Sequence, residues 1–299
     1  MSGVTSAGSI TATAPFIARR EVFPVTGSTN DIVRCWLAEG APEVCLAVAD
    51  RQSEGRGRAG RTWLAPSGAA LLLSLGFRPS WLAPDRTWRL AAVVAMAMAE
   101  AAEPVADLAR GTIRLKWPND LVVEDGGPTD PRAGTARKLA GLLGETDGLG
   151  SDDPRATIGL GMNVAWPASD FPPDLVATMT SLDELSGGQA IDRGIVLDAF
   201  LRRLEPQVAA LRVGRFDEQA WLDRQLTTGR TVRLEQLDGS AEVVDAVGLD
   251  PASGALLVAD ERAAEGRRSV FSGEIRHLRI PAPTDPAAGA ARRPARAQV

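Results

Sequence analysis

The sequence predicts an α+β fold, a mixed sheet flanked by helices and followed by a small all-β barrel. Two patterns predict it. Up to Leu226, short apolar runs with strand character alternate with amphipathic helical stretches. Beyond Gly229 the helical patterns stop, and short strands succeed one another across Gly, Asp and Ser turns. A chain of 299 residues, 44% hydrophobic and 24% charged, has the length and composition for a sizeable core in two domains. These are expected at 19–228 and 229–281. A leader at 1–18, rich in Ser, Thr, Ala and Gly, and a Pro/Ala/Arg tail at 282–299 are expected to be disordered.

In chain order, residues 20–25 read as a strand. Ser28-Thr29-Asn30-Asp31 then opens a helix, with Ser28 as N-cap and Asp31 completing a variant capping box, and Gly40 stops it. Strands at 45–50 and 69–77 enclose a loop rich in glycine and arginine. Residues 81–103, with Trp88, Leu90, Val93 and Met96, form a mostly buried helix that starts after Pro84. Strands at 113–117 and 121–123 flank the break Pro118-Asn119-Asp120, and 124–137 reads as an exposed loop. Strands at 138–146 and 156–164 carry glycines 141, 144, 159 and 161. Glycine weakens an ordinary strand, so a ligand or another backbone is expected close to these four. A short helix near 181–185, a helix at 195–211 disturbed near Pro206, and another at 216–226 complete the larger domain. The barrel strands are expected near 231–235, 242–247, 255–258, 269–271 and 273–280.

The loop Gly55-Arg56-Gly57-Arg58-Ala59-Gly60-Arg61, with Gln52 before it and Trp63 after it, packs three glycines and three arginines into seven positions. Glycine lets a backbone approach a ligand closely, and arginine forks recognise carboxylate and phosphate oxygens. The loop reads as a lid over a site where a carboxylate meets a nucleotide phosphate. Its letters also satisfy G-x-G-x-x-G, but that fingerprint requires a helix opening at the third glycine, and here a proline and a turn follow. Taken alone, the loop is equally compatible with a solvated basic segment or an RNA tether. The net charge of −5 and pI near 5.2 argue against nucleic acid as the main partner.

Two cysteines, Cys35 and Cys45, make no disulfide framework and suit a reducing cytoplasm. With His277 the single histidine, neither a metal-ligand cluster nor a histidine-based triad is expected. No secretory signal is evident, and the apolar stretch 90–102, interrupted by Glu100, is too short to span a membrane. Arginines outnumber lysines 31 to two, the lysines being Lys116 and Lys138, and there are three asparagines, Asn30, Asn119 and Asn163. All five fall in segments singled out for other reasons.

Together these segments resemble the biotin protein ligases. The resemblance rests on Ser28-Thr-Asn30, Gln52 with Gly55-Arg-Gly-Arg58 and Trp63, Lys116-Trp-Pro-Asn-Asp120, Lys138-Leu-Ala-Gly141 and Gly159-Leu-Gly-Met-Asn163, and it covers about 20–280. It implies a class II synthetase-like catalytic domain with a C-terminal SH3-like barrel. It also implies two-step chemistry. The carboxylate of biotin attacks the α-phosphorus of ATP, giving biotinyl-AMP and pyrophosphate, and a lysine of a biotin carboxyl carrier protein then attacks the anhydride. ATP with Mg2+ and biotin are the implied ligands. Ser28, Thr29, Asn30, Gln52, Arg56, Gly57, Arg58, Lys138 and Gly141 are the implied biotin contacts. Arg56, Arg58, Arg61, Trp63, Lys116, Asn119, Asp120, Lys138 and Asn163 are the implied nucleotide or adenylate contacts. Lys138, Arg56, Arg58 and Asp120 carry the chemistry, with Asp120 a candidate for deprotonating the incoming amine and for magnesium. Ser53-Glu54 stand where the family commonly has Thr-Ala. No DNA-binding winged helix precedes these segments, so the regulatory form of the family is not expected. A lipoate or octanoate ligase or transferase of the same fold, and a non-catalytic biotin or nucleotide sensor, are the competing readings.

Overall fold

The computed structural model describes residues 16–125, 135–236 and 238–277. Most of the expected leader, the centre of the expected 124–137 loop and the expected tail lie outside these residues. Seven strands form one mixed sheet: β1 (Arg19–Phe23), β2 (Cys45–Ala49), β3 (Ala70–Phe77), β4 (Ile113–Lys116), β5 (Asp120–Glu124), β6 (Ala136–Asp147) and β7 (Arg155–Asn163). Their spatial order is β1-β2-β3-β7-β6-β5-β4, with β1 parallel to β2 and every other pair antiparallel.

Strand β3 is buried along its whole length, as its nearly unbroken apolar run requires. Leu71, Leu73, Leu75 and Phe77 join the main core with α2 (Trp88–Val105). The opposite face receives α1 (Thr29–Ala38), whose Val33, Trp36 and Leu37 pack on Cys45 and Ala47. This packing is close: a Cβ on Gly76 would lie 2.7 Å from Val33. Three more helices follow, α3 (Leu182–Leu185), α4 (Arg193–Arg212) and α5 (Glu218–Asp223). The expected disturbance at Pro206 does not occur, and α4 runs through it. Pro206 and Arg202, four residues earlier, are both exposed, so water can serve the carbonyl that loses its backbone donor.

The ends of the expected 124–137 loop are not exposed loop either. Asp125 and Arg137 form a buried ion pair at 2.8 Å, and Arg137 also meets Glu184 of α3 at 2.7 Å. The polar letters of that stretch concealed a pair whose charges satisfy each other.

A second, five-stranded sheet follows, consistent with an SH3-like barrel: β8 (Arg230–Glu235), β9 (Ala241–Leu249), β10 (Leu256–Ala259), β11 (Arg267–Val270) and β12 (Glu274–His277), in the order β11-β10-β9-β8-β12. The turn between β9 and β10 fastens it to the first layer. Gly254 takes a φ of +73° with its α-carbon against Trp88, so close that a Cβ would lie 2.7 Å from the ring. Trp117 Nε1 donates to Gly254 O at 3.2 Å, and Arg89 donates to Pro251 O at 3.1 Å. Among the described residues, no helix is long and apolar enough to cross a membrane.

Candidate active site

The first turn of α1 lies on β3 and β7 and is tied down by a polar network. Thr29 N and Oγ1 donate to Gln52 Oε1 at 2.7 and 3.0 Å. Ser74, fully buried in the apolar run of β3, places its hydroxyl 2.7 Å from Thr29 Oγ1 and 2.6 Å from Asn30 Oδ1. Asn30 Nδ2 donates to Glu145 of β6 at 2.6 Å and to Leu143 O at 3.4 Å. Gly159 makes room for that amide, since a Cβ there would lie 2.2 Å from Asn30 Oδ1. Ser28 is the N-cap residue, but its side chain makes no capping bond. The expected capping box does not form, because Asp31 pairs with Arg56 instead.

The arginine-rich loop is a hairpin. Arg56 bridges Thr62, Trp63 N donates to Gly55 O at 2.9 Å, and Gly57 N donates to Arg61 O at 2.7 Å. Ala59 and Gly60 turn its tip at φ values of 54° and 71°. The third glycine therefore turns a tip and opens no helix, in keeping with the rejection of the dinucleotide fingerprint. Arg56 donates to both carboxylate oxygens of Asp31 at 2.7 Å and lies 3.4 Å from Glu145. The guanidinium hydrogen bonds hold the Asp31 carboxyl below its usual range and push the Arg56 pKa up. Arg58 reaches across to the second sheet, donating to Gly273 O at 3.4 Å. Glu54 is exposed beside Gly27 and does not line the cavity below the lid.

Trp63 lies against the glycine face of the sheet. A Cβ on Gly161 would come within 2.7 Å of its indole, and one on Gly141 within 3.1 Å of both Trp63 and Lys138. The close neighbours of three of the four strand glycines are thus side chains, Asn30 over Gly159 and Trp63 over Gly141 and Gly161. Around Gly144 only Ile158 approaches, at 3.5 Å. The Trp63 Nε1 is buried without a hydrogen-bond partner, and the Lys138 ammonium sits 5.4 Å from the ring centre.

Lys138 is held by its main chain. Its N donates to Thr178 O at 2.7 Å and its O accepts from Thr180 N at 2.9 Å, opposite an irregularity in β5 between Leu121 and Val122. Its Nζ is 2.7 Å from the Asp120 carboxylate. Asn119 is fixed by a 2.7 Å bond to Leu142 O.

Two adjoining cavities result. One, of about 270 Å³, is lined by Ser28, Thr29, Asn30, Gln52, Arg56, Gly57, Arg58, Arg61, Trp63, Asn119, Lys138 and Gly141, with Leu73, Leu143, Leu160 and Leu175 as apolar walls. The other, of about 290 Å³, is lined by Lys116, Asp120, Trp88, Trp117, Trp221 and Phe271 among others. They meet at Arg58, Asn119, Leu142 and Leu143. A polar recess, an apolar wall and a cationic rim suit a small acid with a polar head, and the second chamber leaves room for a larger co-substrate. Asn163 joins neither lining. It is buried and donates to Thr180 O at 2.9 Å, in the 178–180 segment that also holds the Lys138 main chain. Among the described residues, no group of three His, Cys, Asp or Glu side chains could hold a metal ion.

Sequence reasoning missed Ser74, Glu145 and the Asp31–Arg56 pair. Ser74 had a signal, being the one polar residue in Leu71-Leu-Leu-Ser-Leu75. Glu145 had none, since an acid near a strand end usually faces water.

The chain is similar in sequence and fold to known proteins. The model of the biotin/lipoate A/B protein ligase family matches residues 22–163. The chain is 33% identical over 227 residues to a biotin--[acetyl-CoA-carboxylase] ligase of Mycobacterium tuberculosis, covering 75% of this chain and 77% of that one. It is 29% identical over 253 residues to the bifunctional ligase/repressor BirA of Bacillus subtilis, covering 84% and 71%. Among solved structures, a biotin protein ligase of Aquifex aeolicus in complex with biotin and ATP superposes with a TM-score of 0.68 at 25% identity. That match covers 88% of this chain and 99% of the other.

Proposed function

The chain belongs to the biotin/lipoate A/B protein ligase family, and from that premise we propose how it performs ATP-dependent biotin ligation. Biotin enters the 270 Å³ cavity with its polar ring at Ser28, Thr29, Asn30 and Gln52 and its chain along Leu143, Leu160 and Leu175, so that its carboxylate points towards Lys138. ATP takes the adjoining space past Arg58 and Asn119 towards Lys116 and Asp120. Magnesium would arrive on the triphosphate, and Asp120 is the acid beside Lys138 able to face it. Bound there, magnesium would supply neutralisation of phosphate charge.

The carboxylate oxygen attacks the α-phosphorus and pyrophosphate leaves. An amine then attacks the acyl carbon, AMP leaves, and an amide forms. Neither step needs a nucleophile from the protein. Both need negative charge stabilised and reactants aligned, which Lys138, Arg58 and Arg61 supply as cations at the cavity. The Lys138 ammonium leaves Asp120 for the forming acyl phosphate, and the freed carboxylate can then accept a proton from the incoming amine. A lysine has a free pKa near 10.4 and needs such a base. The acceptor we propose is a biotin carboxyl carrier domain in the cytoplasm.

The observation that carries this reading is the convergence of Lys138, the arginine hairpin and the Thr29-Asn30-Gln52 recess on one cavity. Its test is incubation of the full chain with ATP, magnesium, biotin and an isolated carrier domain, read by mass. One biotinyl addition is expected. ATP–pyrophosphate exchange that responds to lipoate and not to biotin would replace this reading with the lipoate one.

A further inference from the structure

Four side chains beside the lid form a closed ring of alternating charge. Arg34 lies 3.8 Å from Asp31, Asp31 2.7 Å from Arg56, Arg56 3.4 Å from Glu145, and Glu145 3.6 Å from Arg34. The ring joins three separate elements, since Asp31 and Arg34 belong to α1, Arg56 to the stem of the hairpin and Glu145 to β6. Glu145 also accepts the amide of Asn30 at 2.6 Å, which connects the ring to the inner recess.

A guanidinium shared between two carboxylates is poorly placed to bind a third anion. Arg56 spends both terminal nitrogens on Asp31 and one of them also on Glu145, so a ligand anion must displace a bidentate pair to use it. Arg58 and Arg61, further along the same hairpin, are outside the ring. Resting on the ligase reading above, we propose that Asp31 and Glu145 are positioning residues. They clamp the stem of the lid through Arg56, and this clamp sets how long the adenylate stays enclosed before an amine arrives. Neither carboxylate touches the reactants. Arg56 is then the hinge pin of the hairpin.

The ring is half-exposed, so its effect is moderate and screened by salt. In the experiment, enzyme loaded with labelled biotinyl-AMP is chased with unlabelled adenylate, and release is followed in time. Asp31→Asn and Glu145→Gln should each speed release roughly 2–5-fold, on the scale of one half-exposed pair, with a smaller change in the rate of adenylate formation. Asp31→Glu should restore much of the retention. Raising salt from 50 mM to 1 M should speed release from the parent enzyme and do so less in Asp31→Asn/Glu145→Gln. A thermal melt accompanies each variant. If one is unfolded, the salt response of the parent decides. Equal release from parent and folded variants, or a parent whose release ignores salt, overturns the clamp. A parent that forms no biotinyl-AMP at all overturns the ligase reading instead, so the two failures are distinguishable.

Discussion

Replacing Gly159 by alanine tests whether the inner recess depends on a single missing methyl group. The added Cβ would lie 2.2 Å from Asn30 Oδ1, more than 1 Å short of the roughly 3.5 Å of ordinary contact. Asn30 has little freedom to yield. It is buried and held at 2.6 Å to both Ser74 and Glu145. A shift of about 1 Å stretches both bonds beyond useful length, and each is worth about 0.5–1.5 kcal/mol when made and more when a buried partner is stranded. The variant should therefore lose about 1–3 kcal/mol of stability. Its affinity for biotin should fall roughly 10–100-fold, because a displaced amide no longer meets the ligand. Urea denaturation and titration calorimetry measure the two effects. Gly144→Ala is the control, since Ile158 at 3.5 Å is its nearest neighbour, and a stability change within about 0.5 kcal/mol is expected there. Gly161→Ala should be intermediate, because the indole it meets belongs to half-buried Trp63 at the end of the lid. Unaltered biotin affinity in Gly159→Ala would refute the placement of Asn30 in the recess.

Four further outcomes are expected. Lys138→Ala should fold yet form adenylate roughly 10²–10³-fold more slowly, as for loss of one preorganised donor; normal pyrophosphate exchange would contradict its role. Arg58→Gly should leak biotinyl-AMP and label bystander lysines, which mass spectrometry of a mixed protein sample detects; unchanged selectivity counts against a retaining lid. Arg137→Ala should cost about 3–5 kcal/mol in urea denaturation by stranding the buried Asp125 carboxylate, and a loss below about 1 kcal/mol would sink that account. The fourth concerns pH. The Arg56 hydrogen bond lowers the Asp31 pKa in the folded chain, so the pair's contribution is complete above the ordinary carboxylate value near 3.9 and is lost only as pH falls through the lower folded value. Adenylate release should then be flat from about pH 8 to 5 on this account and rise only below about pH 4; a rise already between pH 6 and 5 points to another group.

Much of the fold was legible because its strands are either continuously apolar, as in residues 71–73, or punctuated by turn residues. The arginine hairpin and the place of Lys138 on the same cavity were legible because rare residue types, two lysines in 299 residues, stand in compact motifs. Two misreadings share one cause: long-range partners redirect polar side chains. Asp31 looked like a capping residue, but a guanidinium 25 positions away makes a stronger, charge-assisted bond. Arg137 and Asp125 looked like loop residues because each is polar, and their burial depends on each other. Pro206 was given a local cost that solvent removes.

The attachment of Lys138 has a consequence for the motion available to catalysis. With Thr178 and Thr180 bonded to its main chain on one side and β5 paired on the other, the α-carbon has nowhere to travel. Whatever path the positive charge follows, from the acid where it rests to the oxygen where it is needed, must be swept by four methylenes turning about their own bonds. Such a swing is complete in nanoseconds and requires no domain to move. On this anatomy the side chain of Lys138 imposes no slow step on the proposed cycle.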